Sequence, residues 1–282
     1  MVIIEKQKTV VEEQKLLVEH QKKLADEHQR EIIDSITYAR RLQQAILPPA
    51  ELIDKYLPQN FVYYKPKDIV AGDFYWMEHL DNITFIAAAD STGHGVPGAM
   101  VSVVCSNALN RAVKEFGLRE TGKILDKTRE LVLETFEKSG EEIKDGMDIS
   151  LMRIHSSDSH ITAQWSGANN QLWYKKEQGD KILEIKADKQ PIGQTDQAKP
   201  FTTHLLEPER GDIFYLMTDG YADQFGGEKG KKFKYKQLEE LLLENSKKEL
   251  NEQKTLLGDS FDNWKGNLEQ IDDVTILGIR IH

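Results

Sequence analysis

Ile83-Thr84-Phe85-Ile86-Ala87-Ala88-Ala89-Asp90 is an almost wholly apolar run that ends on a carboxylate. It is too short to span a bilayer and of ordinary strand length, so it reads as a central strand buried on both faces. Ile213-Phe214-Tyr215-Leu216-Met217-Thr218 runs in the same way into Asp219. The last apolar run, Val274-Thr275-Ile276-Leu277-Gly278-Ile279, is instead preceded by Asp272-Asp273. In antiparallel neighbours the end of one strand lies beside the start of the next. Three distant segments therefore bring carboxylates to one edge of the sheets, and Asp73 in Ala71-Gly72-Asp73-Phe74 is a fourth candidate.

Around these runs, aromatic and β-branched residues mark further strands at Phe61–Tyr64, Asp73–Met77, Asp148–Ile154, Ile161–Ser166, Gln171–Lys175, Ile182–Ile185 and Phe201–Leu206. Short turns such as Gly167-Ala168-Asn169-Asn170 favour antiparallel pairing. Helical periodicity predicts helices over Pro97–Phe116, Thr121–Lys138, Tyr235–Glu244 and Leu250–Asn263. Strands, a helix pair, more strands, more helices and a final strand specify an α+β fold, with antiparallel sheet packed against helices.

The first 47 residues contain neither Gly nor Pro, and Pro48-Pro49 ends them. Ile4, Val11, Val18, Ala25, Ile32, Ala39 and Ile46 recur at a heptad period, with Ile3, Val10, Leu17 and Leu24 one position earlier. That repeat predicts a coiled-coil helix that pairs two copies of the chain. Its seam is imperfect, because Lys8, Lys15, Lys22 and Gln29 fall on the other core positions, so a solvated single helix is the alternative. The expected organisation is a signalling and dimerisation helix over 1–47, a linker over 48–60 and a catalytic domain over 61–282.

The 282 residues carry a net charge of −10, which argues against binding to nucleic acid or to an anionic membrane surface. The one cysteine, Cys105, excludes an internal disulfide and fits a reducing compartment, so a cytoplasmic location is expected. The charged N-terminus is unlike a signal peptide, and no apolar run is long enough to span a membrane.

Carboxylates gathered at a core edge repel one another, and a cation relieves the repulsion. A set of oxygen ligands without clustered Cys or His selects hard ions such as Mg²⁺ or Mn²⁺. A single aspartate at such a place serves as readily in a turn or helix cap; four together point to metal. Ser91-Thr92-Gly93-His94-Gly95-Val96-Pro97-Gly98, directly after Asp90, adds glycines that allow backbone to approach an ion or a phosphate closely.

Gly72-Asp73-Phe74-Tyr75, Asp90-Ser91-Thr92-Gly93-His94-Gly95-Val96, Thr218-Asp219-Gly220 and Asp272-Asp273-Val274-Thr275-Ile276 resemble, in order and spacing, the motifs of metal-dependent (type 2C) protein phosphatases. The likeness is greatest to the bacterial SpoIIE/RsbU-like branch, where Gln190-Pro191-Ile192-Gly193 and Asp223-Gln224-Phe225-Gly226-Gly227 also find counterparts. It covers the chain from about Phe61 onward.

The resemblance implies an α-β-β-α sandwich with two Mn²⁺ or Mg²⁺ ions at one end of the sheets. By position, Asp90 resembles the ligand shared by both ions, with the Ser91 carbonyl beside it, and Asp73 a ligand of one ion. Asp219 and Asp272 resemble ligands of the other, and the doublet leaves Asp273 as an alternative to Asp272. Ala71 departs from the family's pattern, standing where a second glycine is common.

The stretch Asp34–Pro48 is similar to the junction that joins sensory modules to such phosphatases. The resemblance thus implies phosphoserine/phosphothreonine hydrolysis on a regulatory protein of the anti-anti-sigma type, with input from an upstream sensor through the dimeric helix. Two other readings keep the fold: a signalling or binding module with little turnover, and a metal-dependent hydrolase of another phosphoester.

Overall fold

The computed structural model describes residues 2–137, 145–157 and 160–282. A long helix, α1 (Val2–Gln44), leads into a short one, α2 (Ala50–Tyr56), then β1 (Asn60–Lys65), β2 (Phe74–Leu80) and β3 (Ile83–Ser91). Helices α3 (Gly95–Lys114) and α4 (Thr121–Glu137) precede β4 (Met147–Ser157), β5 (His160–Ala168), β6 (Leu172–Lys175), β7 (Leu183–Ile185), β8 (His204–Leu206) and β9 (Ile213–Met217). After these come α5 (Gly220–Asp223), the small ribbon β10 (Phe225–Gly226) and β11 (Lys231–Lys232), α6 (Tyr235–Asn245), α7 (Leu250–Lys265) and β12 (Val274–Arg280).

Two five-stranded antiparallel sheets form the centre, one in the order β1-β12-β9-β6-β7 and the other β2-β3-β4-β5-β8. The expected α+β sandwich is thereby present, and strand alternation explains its layers. Phe85, Ala87 and Ala89 of β3 face a core shared with Val101, Cys105 and Leu109 of α3 and Ile124 and Leu125 of α4. Ile86 and Ala88, on the opposite face, pack with Phe214 and Leu216 of β9 and Leu277 of β12 between the sheets. Tyr215 and Met217 turn outward to meet Leu238 and Leu242 of α6 and Leu257 and Phe261 of α7. β3 and β9 are each buried on both sides, which is why their sequences are continuously apolar.

Most predicted elements appear within a few residues of their expected ends. β3 runs on through Asp90 to Ser91, because β4 pairs with it there and sets Asp90 opposite Asp148. Residues 48–60, expected to be a linker, contain α2, whose Ile53 joins Leu57 in the core between the sheets. From residue 14 to residue 35 the side chains of α1 are exposed, Leu17, Val18, Leu24 and Ile32 among them. The side chains of Ile3, Ile4, Lys8, Val10 and Val11, and the predicted helix end at Lys138, lie outside the described residues. No helix among the described residues is long and apolar enough to cross a membrane.

Candidate metal centre

Strand geometry brings the expected aspartates to one end of the two sheets. Asp90 stands near the end of β3, Asp219 follows β9, and Asp272 and Asp273 lead into β12, antiparallel to β9. Asp73 precedes β2, which pairs with β3. A cavity of about 330 Å³ opens here, lined by Asp90, Ser91, Thr92, His94, Asp148 and Asp272 among others.

Asp148 is the acidic residue that the sequence reading passed over as the start of a strand. It lies directly opposite Asp90 in the β3–β4 register and accepts a hydrogen bond from Asn169 Nδ2 at 2.8 Å. The signal was the one used for Asp272: an aspartate in front of an apolar strand, here Ile149-Ser150-Leu151-Met152.

The electrostatics show that these groups share a region of low polarity. Burial, and then the facing charges of Asp219, Asp272 and Asp148, push the Asp90 carboxyl up from 3.8 to about 8. Asp219 is raised to about 6 by burial, followed by Asp272, Asp223 and Asp148. Asp148 is raised chiefly by burial, which its bond from Asn169 partly offsets. Asp73 is raised well above the ordinary carboxylate value by burial and by Asp90, against hydrogen bonds from Thr218 and Thr275.

Asp73 and Asp273 are held more tightly than the others. Asp73 is buried, and its Oδ2 accepts from Thr218 Oγ1 at 2.7 Å and from Thr275 Oγ1 at 2.8 Å. Asp273 accepts from the Lys67 and Gly72 amides, one on each oxygen, both at 2.7 Å. Its neighbour Asp272 lines the cavity. Ser91 donates from its hydroxyl to the carbonyls of Gly72 (2.6 Å) and Gly98 (3.0 Å).

The glycines hold the surrounding backbone close. A side chain on Gly72 would collide with the Gly93 carbonyl and come within 2.9 Å of that of Ser91. Gly93 and Gly95 take φ of 84° and 61°, a region costly for residues with a Cβ. Between them His94 Nδ1 lies 3.3 Å from Asp68 Oδ2 on the exposed rim.

Among the described residues, no three His, Cys, Asp or Glu side chains are drawn together closely enough to hold an ion as they stand. Of the carboxylates, Asp90, Asp148 and Asp272 line the cavity, whereas Asp73, Asp219 and Asp273 stand outside its lining. Their chemistry still fits a hard divalent cation: the acidic set is all oxygen, partly desolvated and mutually repelling.

The family model described as stage II sporulation protein E (SpoIIE) matches residues 81–282. The chain belongs to the SpoIIE family. It is a protein phosphatase by that membership, and its fold is that of the PP2C phosphatases. This SpoIIE-family chain is similar to the solved SiaA-PP2C domain of Pseudomonas aeruginosa, at 29% identity and a TM-score of 0.80. That match covers 90% of this chain and 98% of that one. The PP2C phosphatase domain and regulatory-domain fragment of SpoIIE from Bacillus subtilis match at 18% identity and a TM-score of 0.62, covering 79% of this chain and 63% of that one. RsbX in complex with magnesium matches at 18% identity and a TM-score of 0.53, covering 78% and 94%. No curated protein matches in sequence.

Proposed function

We propose that this SpoIIE-family chain hydrolyses phosphoserine or phosphothreonine on a regulatory protein. In this reading Asp73, Asp90, Asp219, Asp272 and the Ser91 carbonyl hold two Mn²⁺ or Mg²⁺ ions. The observation that carries it is the placing of Asp90, Asp148 and Asp272 around one cavity at the end of the sheets, where burial and the neighbouring aspartates also push the Asp90 carboxyl up to about 8. Such a site gains most from a bound cation. Metal ions of this kind supply an acidified water as nucleophile and positive charge for the phosphoryl oxygens.

The chain's own residues prepare the place. Asp90, near the end of β3, and Asp272, just before β12, both line the cavity. Thr218 and Thr275 occupy one oxygen of Asp73 and leave Oδ1 for an ion. Asp273 is engaged by two backbone amides, which favours Asp272 as the ion-facing member of the doublet. Asp148 adds negative charge opposite Asp90.

On this proposal residues 61–282 carry the chemistry in the cytoplasm, and 1–47 pair two chains and relay a signal from an upstream sensor module. The exposed Leu17, Val18, Leu24 and Ile32 of α1 support such a pairing. The phosphoprotein substrate is of the anti-anti-sigma type, a reading that rests on the family resemblance. Purified chain should hydrolyse p-nitrophenyl phosphate and phosphoserine peptides when given Mn²⁺, and should spare nucleotides. No hydrolysis at saturating Mn²⁺ would leave the low-turnover signalling module, and a preference for nucleotides would leave the other phosphoesterase.

A further inference from the structure

Glu228-Lys229-Gly230-Lys231-Lys232-Phe233-Lys234-Tyr235-Lys236 holds five lysines against one glutamate, in a chain whose net charge is −10. The stretch forms the turn and second strand of the β10–β11 ribbon and its run into α6. All five lysines are exposed. Lys232 pairs with Asp223 at 2.7 Å, and Lys236 with Glu240 of its own helix at 3.9 Å. Among the described residues, no carboxylate stands within ion-pair reach of Lys229, Lys231 or Lys234. Like charges set side by side repel, and a ribbon of two residues per strand has no long edge for lysines to protect. The clustering calls for another reason.

The fold roots this ribbon in the carboxylate centre at both ends. Its first strand follows Asp223, whose amide donates to the Asp219 carbonyl at 3.0 Å. Gln224 is fully buried; its Nε2 donates to the Glu269 carbonyl at 2.9 Å, and its Oε1 accepts from the amide of Ile271, next to Asp272, at 3.1 Å. The Phe233 amide donates to the Gln224 carbonyl at 2.9 Å, and the Phe233 ring packs edge-on against Tyr221 and Trp264. Burial, and then the charges of Asp219, Asp223, Asp90 and Asp148, raise the phenol of Tyr235, so the chain leaves the ribbon facing the same carboxylates. A cationic rim thus stands beside an anionic cavity.

A phosphorylated side chain carries a charge of about −1.5 to −2 near neutral pH, and a cluster of aspartates repels it. Fixed positive charge beside such a site speeds encounter and orients the approaching partner. We propose that the ribbon docks the phosphoprotein substrate through acidic residues flanking its phosphoserine or phosphothreonine, with Lys229, Lys231 and Lys234 as the contacts. This rests on the phosphatase reading and adds a substrate class to it: phosphorylated residues in an acidic setting.

The test is steady-state hydrolysis by the full chain at saturating Mn²⁺, using two phosphoserine peptides, one flanked by Asp and Glu and the other by Ser and Gly. Wild type should favour the acidic peptide roughly tenfold in kcat/KM, chiefly through KM. Raising KCl from about 50 to about 200 mM should shrink that preference, because exposed charges are screened. Lys229→Glu with Lys231→Glu should abolish it, and the milder Lys229→Gln with Lys231→Gln should reduce it. Lys181→Glu with Lys247→Glu makes the same change in net charge at exposed positions near the other end of the sheet, and should keep the preference. A wild type indifferent to flanking charge overturns the proposal, as does a charge-reversed ribbon that keeps the preference or an equal loss in the Lys181 and Lys247 variant. Turnover of p-nitrophenyl phosphate without any peptide preference overturns the ribbon alone. A wild type that hydrolyses neither the peptides nor p-nitrophenyl phosphate removes the phosphatase reading, and the docking proposal with it.

Discussion

Replacing Asp90 by asparagine should make the metal-free chain more stable at neutral pH while abolishing its response to Mn²⁺. The Asp90 carboxyl lies at about 8 in the folded chain, against 3.8 as the ordinary value. Below pH 3.8 it is protonated in both folded and unfolded states, and no penalty arises. Between 3.8 and 8 the unfolded chain releases the proton while the folded chain retains it, so stability falls as pH rises. Above 8 the penalty is complete. A tenfold change in acidity corresponds to about 1.4 kcal/mol, so holding the folded group charged costs about 6 kcal/mol.

Asparagine removes that charge but must itself be buried, at a cost of about 1–3 kcal/mol. The net gain near pH 8 is therefore about 3–5 kcal/mol, or on the order of 10 °C in melting temperature for a chain of this size. Thermal unfolding followed by circular dichroism, in chelator and from pH 4 to 8.5, measures it. Wild type should lose stability along this range, and Asp90→Asn should show a flatter curve that starts about 1–3 kcal/mol below the wild-type curve near pH 4 and crosses above it as pH rises. Added Mn²⁺ should raise the wild-type melting temperature and leave that of the variant unchanged. A metal-free variant no more stable than wild type at pH 8 would refute the crowding on which the site assignment rests.

Asp272→Asn should abolish Mn²⁺-dependent hydrolysis with little change in melting temperature. Asp273→Asn weakens the hold on the Lys67 and Gly72 amides and should lower stability by about 1–3 kcal/mol; activity and thermal melts on both variants separate ligand from strap. Deleting residues 1–40 should leave the catalytic domain folded and convert a dimer to a monomer, and an unchanged mass in sedimentation equilibrium would exclude pairing through α1.

The ends of β3 and β9 were legible because a strand buried on both faces must be apolar throughout, and a charge immediately after it marks an edge. Asp148 carried a comparable signal and was missed, since a lone aspartate before a strand also reads as a turn residue. Its significance came only from the register that sets it against Asp90. The doublet Asp272-Asp273 was undecided because adjacent residues point in different directions; the amides of Lys67 and Gly72, some 200 positions away, are what distinguish them. Helix α2 was hidden by its seven residues and by Pro48-Pro49. The burial of Gln43 had no local sign, as glutamine on a polar helix reads as exposed until its partner Ala71 is known.

By itself the sequence determined most of the strands and the longer helices, that carboxylates cap several strands, and which family the motifs resemble, because apolar period and turn chemistry are properties of neighbouring residues. Only the tertiary structure decided the strand order, with β1 paired to the final strand, which aspartates face the cavity and which are tied to backbone, and where α1 grips the domain. Those outcomes depend on contacts between residues far apart in the chain, and no local pattern encodes which distant group will meet a given side chain.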